Sequence, residues 1–137
     1  MVEHDPATNK QLIREHYEAT TNNYDPDAID RQVTDDFVDH GTPGVKGSEG
    51  VKRHITALLA AFPDLKVTID AIVAEGDLVA VRGTWRGTQR GEFRAIKPAG
   101  AKVEFSGMVF WRVRDGKIRE RWGLVDAPSL MQQLKPS

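Results

Sequence analysis

The sequence has no cysteine among its 137 residues, which excludes disulfide bridges, thiolate metal sites and a cysteine nucleophile. Its formal net charge is −1 and its acidic and basic residues are interspersed, so no basic patch favours nucleic acid. The longest apolar run, "ALLAAF" at 57–62, is too short to span a bilayer. The polar N-terminus is not typical of a signal peptide. We therefore expect a cytoplasmic protein that binds neither membrane nor nucleic acid.

Several motifs of known chemistry are also missing. There is no "GxSxG", P-loop or "GxGxxG", so acyl transfer, nucleotide hydrolysis and hydride transfer lack their usual sequence signals. His40, His54, Glu120 and Asp126 are the side chains to consider for a metal, but they do not show the spacing of common metal sites. We expect no metal.

The length predicts one domain, 1–137, large enough to bury a core of its own. Apolar residues at helical spacing predict three helices in the first half, at 7–22, 25–33 and 48–62. Asp25 and Ser48 are the predicted N-caps of the second and third helices. Pro63 ends the third helix.

The second half alternates with period two and predicts strands. They cover 65–74, 78–88, 102–114 and 118–125, after a short extended piece at Phe37–Val38 and before a short helix at 128–134. We predict an α+β fold in which a strongly curved antiparallel sheet wraps around three N-terminal helices as a cone. Gly83 and Gly107 lie inside strands, where glycine often marks a bend. The open mouth of such a cone is a place for a small molecule.

The alternation also predicts which side chains share a face. In the third long strand, Val103, Phe105, Gly107, Val109, Trp111 and Val113 form one side. In the second strand the corresponding side is Val79, Val81, Gly83 and Trp85, and in the first it is Leu65, Val67, Ile69 and Ala71. In the last strand, Ile118, Glu120, Trp122 and Leu124 share a face.

The order of motifs resembles the SnoaL-like polyketide cyclases, also called ester cyclases, of the nuclear-transport-factor-like cone folds. The matching stretches are "FVDH" at 37–40, "GSEGVKRHITALLAAFPDLKVTI" at 47–69, "EGDLVAVRGTWRGT" at 75–88, "GEFRAIKPAGAKVEFSG" at 91–107 and "VRDGKIRERWGLVD" ending at Asp126. Two places depart from the family pattern. Gln89 stands where relatives commonly have the histidine of "GTHxG", and Arg121 stands where they have that of "EHW".

The resemblance implies a homodimer without metal or organic cofactor, in which an aspartate near the end of the last long strand is the general acid/base of an intramolecular aldol condensation. Asp126 is at that position. For the dimer we expect an outer sheet face with exposed apolar residues such as Val109 or Trp111. The same fold also carries isomerases, epoxide hydrolases and dehydratases, so membership alone does not determine the reaction.

Asp126 has two interpretations. It precedes "APSLMQQL" and can cap a final helix, which is the commonest use of aspartate at such a place. Alternatively, its carboxylate lines an apolar cavity and takes a proton from the substrate.

His40 lies in a turn beside the predicted mouth, where an imidazole can bind a substrate carbonyl or shuttle a proton, or simply bond to backbone. His4, His16 and His54 are expected on the surface. Glu120 and Arg82 lie on central strands and need charged partners if they are buried. The residues that we predict to contact substrate are Tyr17, Phe37, Arg82, Trp85, Met108, Glu120 and Trp122.

The sequence therefore predicts a cofactor-free cyclase-type enzyme that acts on a small, largely apolar, carbonyl-containing substrate, with Asp126 and His40 as catalytic residues. Two alternatives remain open. One is another lyase, isomerase or epoxide hydrolase on the same cone, and the other is a ligand-binding dimer without catalysis.

Overall fold

The computed structural model describes residues 5–135. Its helices are α1 (Pro6–Tyr17), continued by a π-helical turn (Glu18–Asn22), α2 (Pro26–Gln32), α3 (Gly47–Ala61) and α4 (Ala127–Leu134). Its strands are β1 (Val33–Asp39), β2 (Lys66–Glu75), β3 (Leu78–Thr88), β4 (Lys102–Arg114) and β5 (Lys117–Val125). No helix of the described range is both long and apolar enough to cross a membrane.

The five strands form one curled sheet in the order β1-β5-β4-β3-β2. The α+β class is confirmed, and β2 to β5 are the predicted antiparallel meander. The short piece at Phe37 is a full strand, β1, that pairs parallel with β5, so the sheet is mixed rather than antiparallel. A hairpin would force β1 to run antiparallel, but β1 enters from α2 and is free to run parallel to its neighbour.

The helix starts follow capping chemistry with one exception. Asp5 accepts a hydrogen bond from the Ala7 amide at 3.1 Å, and Asp25, as predicted, accepts from the Ala28 amide at 3.2 Å. The third helix begins at Gly47 rather than after Ser48, and its N-cap Lys46 makes no side-chain cap bond. A proline directly follows Asp5 and Asp25, where its missing N–H costs nothing.

The core lies between the helices and the concave inner face of the sheet. The predicted inner sides of β3 and β4 are confirmed, because their alternate apolar residues are buried. Val109 and Trp111, which we expected on the outer face, are 0% and 3% exposed. The exposed apolar side chains of β4 are instead Met108 and Phe110, since the alternation places those on the other side.

Two bulges reverse the alternation that the sequence pattern predicted. In β5, Val113 pairs with Ile118 and Arg112 pairs with Glu120, so Arg119 is an extra residue. Of the four β5 residues that were predicted to share a face, only Ile118 faces the core. The other three members, Glu120, Trp122 and Leu124, face outward, each paired with an outward-facing residue of β4. A bulge at Asp70 of β2 likewise moves Ala71 to the outer face, opposite Arg82.

Ile118 is fully buried where β1, β4 and β5 meet, and its removal tests this packing. We expect Ile118→Ala to lower the free energy of unfolding by about 2–5 kcal/mol, because it leaves a cavity in the core. Ile118→Val should lower it by only about 0.5–1.5 kcal/mol. Urea denaturation measures both, and an alanine variant no less stable than the valine variant would contradict the placement.

Candidate active site

The concave face of the sheet and the helices above it enclose a cavity of about 570 Å³. This volume is within the range of small-molecule sites. Its wall is mostly apolar and aromatic, and its main apolar members are Tyr17, Phe37, Val45, Val51, Ile55, Leu58, Trp85, Phe93, Phe105, Trp111, Val125 and Leu130. A flat hydrophobic molecule fits such a wall.

An ion pair projects into this apolar cavity. Arg121 on β5 directs Nη1 at both carboxylate oxygens of Asp39 on β1, at 3.3 and 3.1 Å. The Gly41 amide donates to the same carboxylate at 2.9 Å. The Asp39 side chain is 5% exposed and that of Arg121 is 20% exposed, so the pair is mostly desolvated.

A glycine makes room for the guanidinium. A Cβ atom at Gly123 would lie 2.6 Å from Cζ of Arg121, so any side chain at this position would displace the guanidinium. The guanidinium instead lies over the indole ring of Trp111, 5.5 Å from its centroid. The bulge at Arg119 is the reason that Arg121 faces inward at all, because a regular strand continuing from buried Ile118 would direct it outward.

Two buried donors lie beside the arginine. Tyr17 and Trp111 line the cavity edge to face, with ring centroids 5.6 Å apart. The Tyr17 hydroxyl and the Trp111 Nε1 have no hydrogen-bond partner within residues 5–135. Burial raises the pKa of Tyr17 to about 12, so the hydroxyl keeps its proton at neutral pH.

His16 is buried at 2% exposure and lines the cavity, so its predicted surface position is wrong. Its Nδ1 lies 2.8 Å from the amide oxygen of Gln32, and its ring meets Trp111 edge-on. Burial lowers the pKa of His16 to about 4, with a smaller contribution from the charge of Arg121, and the ring is neutral at physiological pH. His4, also expected on the surface, lies outside the described residues.

His54 is exposed on α3, as expected, but it lines the opening of the cavity. Partial burial lowers its pKa, Asp39 opposes this shift and Arg121 adds to it. The two histidines that line the cavity therefore carry no charge near pH 7.

Three of the residues predicted to contact substrate, Tyr17, Phe37 and Trp85, line the cavity. The other four, Arg82, Met108, Glu120 and Trp122, lie on the outer face of the sheet and not in the cavity wall. Arg82 and Met108 are cross-strand neighbours there, and the β5 bulge explains the position of Glu120 and Trp122.

His40 also lies outside the cavity wall. Its ring stacks on Trp122 with centroids 5.0 Å apart, and its Nε2 lies 2.9 Å from a carboxylate oxygen of Glu120. Glu120 in turn pairs with Arg112 at 3.2 Å, which is the charged partner that its position on a strand required. This geometry connects His40 to the outer face and not to the apolar cavity.

Asp126 caps α4, which is the first of its two interpretations. Its Oδ1 accepts a hydrogen bond from the Ser129 amide at 3.1 Å, and its side chain is exposed. The residues on either side of it, Val125 and Ala127, line the cavity, so Asp126 lies at the rim rather than in the wall. Its role as a base stays a prediction.

The two departures from the family pattern both act at this cavity. Buried Gln89 donates through Nε2 to the carbonyls of Gly91 and Ile96, at 3.0 and 2.8 Å. It thereby holds the loop that contributes Phe93 to the wall. The other departure is Arg121 itself. Arg121 and Asp39 were not among the site residues predicted from the sequence, whose only signals for them are the "ERW" departure and the "FVDH" motif that contains Asp39.

Comparison with known proteins agrees with this fold. A family model described as SnoaL-like polyketide cyclase matches residues 11–134. The solved structure of TsrD from Streptomyces laurentii superposes with a TM-score of 0.87 at 28% identity, covering 96% of this chain and 98% of that one. IdmH from Streptomyces antibioticus, a proposed polyketide cyclase, has 33% identity and a TM-score of 0.81, covering 92% and 97%. AclR from Streptomyces galilaeus, a proposed hydroxylase, has 30% identity and a TM-score of 0.82, covering 93% and 96%.

None of the curated proteins matches the sequence. The family match spans nearly the whole chain, and the chain belongs to the SnoaL-like polyketide cyclase family. This membership supports a function of the cyclase or isomerase type.

The buried His16 makes stability depend on pH. Because its pKa is lowered from 6.5 to about 4 on folding, the unfolded chain binds a proton that the folded chain does not. The contribution of His16 to the free energy of unfolding is therefore complete above pH 6.5. It falls by about 3 kcal/mol in total as the pH is lowered toward 4. Urea unfolding of wild type and His16→Asn across this range should show a shallower loss in the variant, and parallel curves would contradict the assignment.

Proposed function

We propose that the protein is a cofactor-free cyclase that binds a small, largely apolar, polyketide-like carbonyl compound in the cavity and closes a ring by intramolecular aldol condensation. A general base removes a proton next to one carbonyl, and the resulting enolate attacks a second carbonyl of the same molecule. The cavity carries this proposal, because it combines aromatic walls with polar groups in the fold of a polyketide cyclase.

The cavity walls supply the positioning that ring closure requires. Trp85 and Phe105 lie nearly parallel, with centroids 5.8 Å apart and an angle of 8° between their planes, and both line the cavity. A flexible chain held against such surfaces is restricted to few conformations. Orientation of this kind lowers a barrier by up to about 7–11 kcal/mol.

Asp126 is the proposed base. Its Oδ1 holds the cap of α4, while its Oδ2 accepts no hydrogen bond from any residue in the range 5–135 and is free to take a proton. A substrate that extends from the cavity between Val125 and Ala127 reaches this rim position. His40 lies on the outer face, so Arg121, which lines the cavity, is the better supported group for holding the enolate.

The observation that Asp126 caps a helix also favours a second function, a binding module without catalysis. In that case the carboxylate serves α4 alone and the cavity only sequesters a ligand. An epoxide hydrolase is less well supported. It ordinarily needs two carboxylates with an arginine between them, but Arg121 pairs only with Asp39 in the described part of the chain, and Glu104 and Glu120 face outward.

Asp126→Asn separates catalysis from capping, since asparagine caps helices as well as aspartate does. We expect an unchanged melting temperature and a fall of about 10²- to 10⁴-fold in proton abstraction. A suitable probe is 2-acetylnaphthalene, a flat aryl ketone whose methyl protons exchange slowly in D₂O. NMR measures the enzyme-catalysed exchange.

Asp25→Asn is the matched control, because Asp25 caps α2 in the same way and does not line the cavity. It should leave both stability and exchange unchanged. Full exchange activity in Asp126→Asn would exclude Asp126 as the base. If wild type binds the ketone but exchanges no proton faster than buffer does, the binding module is the correct function.

We also propose that the protein is a homodimer that pairs through the outer face of the sheet. Val73, Ala80, Phe110 and Trp122 are successive cross-strand neighbours in one row, and Met108 and Leu124 are paired in the next. Met108 is 64% exposed and Leu124 is 81% exposed. A contiguous exposed apolar surface of this kind is typical of an interface between subunits.

Phe110→Glu places a charge in the middle of that row. We expect wild type to sediment as a dimer of the 15.3 kDa chain and the variant to sediment as a folded monomer. Thr56→Glu, on the exposed side of α3, adds the same charge elsewhere and should stay dimeric. A monomeric wild type, or a dimer that tolerates Phe110→Glu, would contradict the proposed interface.

A further inference from the structure

We propose that the cavity contains a binding site for an acidic oxygen of the ligand, formed by the guanidinium of Arg121, the hydroxyl of Tyr17 and the indole N–H of Trp111. The ligand class is a flat aromatic molecule that carries a carboxylate, a phenolate or an enolisable carbonyl. The binding site stands on its own geometry, and its meaning for catalysis rests on the proposed function.

Arg121 has hydrogen-bonding capacity to spare. A guanidinium has five N–H donors, and only Nη1 of Arg121 is engaged, by Asp39. Nη2 and Nε have no acceptor within hydrogen-bond distance in residues 5–135. The side chain is 20% exposed and lines the cavity, so a ligand can reach it.

The two neighbouring groups are donors without acceptors. Tyr17 and Trp111 are 5% and 3% exposed, and neither the Tyr17 oxygen nor the Trp111 nitrogen makes a hydrogen bond of standard geometry within the described range. The Trp111 N–H lies near enough to the Tyr17 oxygen to lower the pKa of Tyr17 slightly, against the larger effect of burial. A buried polar group without a partner costs about 1–3 kcal/mol. An indole N–H can only donate, so the group that removes this cost must bring an acceptor oxygen.

The charges around the site favour an oxygen attached to a large apolar body over a small inorganic anion. Asp39 neutralises the arginine, and His16 and His54 are neutral at pH 7 because burial lowers the pKa of each. The other two charged residues of the cavity wall, Glu92 and Arg94, are of opposite sign. The cavity thus offers directed donors but no net positive charge. Most of the affinity must come from aromatic rings against the cavity wall, and the donors then select which oxygen is placed there.

For the proposed reaction, this arrangement stabilises the intermediate rather than the ground state. The carbonyl oxygen gains charge as the enolate forms, and donors that are already oriented toward it bind it more strongly at that stage. The site also selects which oxygen of the substrate is held by Arg121 and Trp111, namely that of the carbonyl whose neighbouring carbon loses its proton.

Calorimetric titration with two probes of similar shape tests the site. We expect 2-naphthoate, which carries a carboxylate, to bind about tenfold or more tightly than the neutral ketone 2-acetylnaphthalene. Tyr17→Phe removes only the hydroxyl, and we expect it to weaken 2-naphthoate binding about tenfold or more while changing ketone binding much less. Tyr24→Phe is the matched control, because Tyr24 does not line the cavity, and it should change neither affinity.

Arg121 is tested by the double variant Asp39→Asn with Arg121→Gln, which avoids leaving Asp39 as an unpaired buried charge. The double variant should lose the preference for 2-naphthoate. Equal affinity of wild type for the two probes, or an equal loss for both in Tyr17→Phe, would overturn the proposal, and so would the absence of binding by either probe.

The outcomes also separate this site from the proposed function. Preference for 2-naphthoate that depends on Tyr17, without catalysed exchange of the ketone, supports the binding site and contradicts the cyclase. Catalysed exchange without that preference contradicts the site and supports the cyclase.

Discussion

The pairing of Arg121 with Asp39 is the interaction on which the organisation of this cavity depends. It joins β5 to β1, the two parallel strands, inside a wall that is otherwise apolar. A buried charge without its partner costs several kcal/mol, so the two residues must be retained together. The pair in turn requires an extra residue in β5, Arg119, to direct the arginine inward, and it requires Gly123 to leave space for the guanidinium.

The same bulge determines which residues of β5 face the cavity and which face outward. Inward, β4 and β5 present Trp111 and Arg121 to the cavity, while outward they present Phe110 and Trp122 in an exposed apolar row. His40 belongs to the outer surface, through its stacking on Trp122. After the bulge, Arg121 and Gly123 face the cavity, whereas Glu120, Trp122 and Leu124 face outward.

Periodicity predicted the core of the sheet because the pairing of β3 with β4 is regular along its whole length. The inner faces of β3 and β4 follow strict alternation. Asp25 caps α2, as its position directly before Pro26 indicated. The bulges at Asp70 and Arg119 have no signature in composition, and a single extra residue exchanges the two faces of a strand. The inward direction of Arg121 depends on one of those bulges, which is why the pattern did not indicate it. Tyr17, Phe37 and Trp85 line the cavity, and their contact with a substrate stays a prediction.

A crystal structure of the protein with 2-naphthoate is the most direct test of the claim that this cavity is the functional site. The account predicts the naphthalene rings against Trp85 and Phe105 inside the cavity, with a carboxylate oxygen within hydrogen-bond distance of Arg121 and Tyr17. A ligand bound instead on the outer apolar row, or a cavity filled by movement of the Arg121 side chain with no ligand inside, would contradict it.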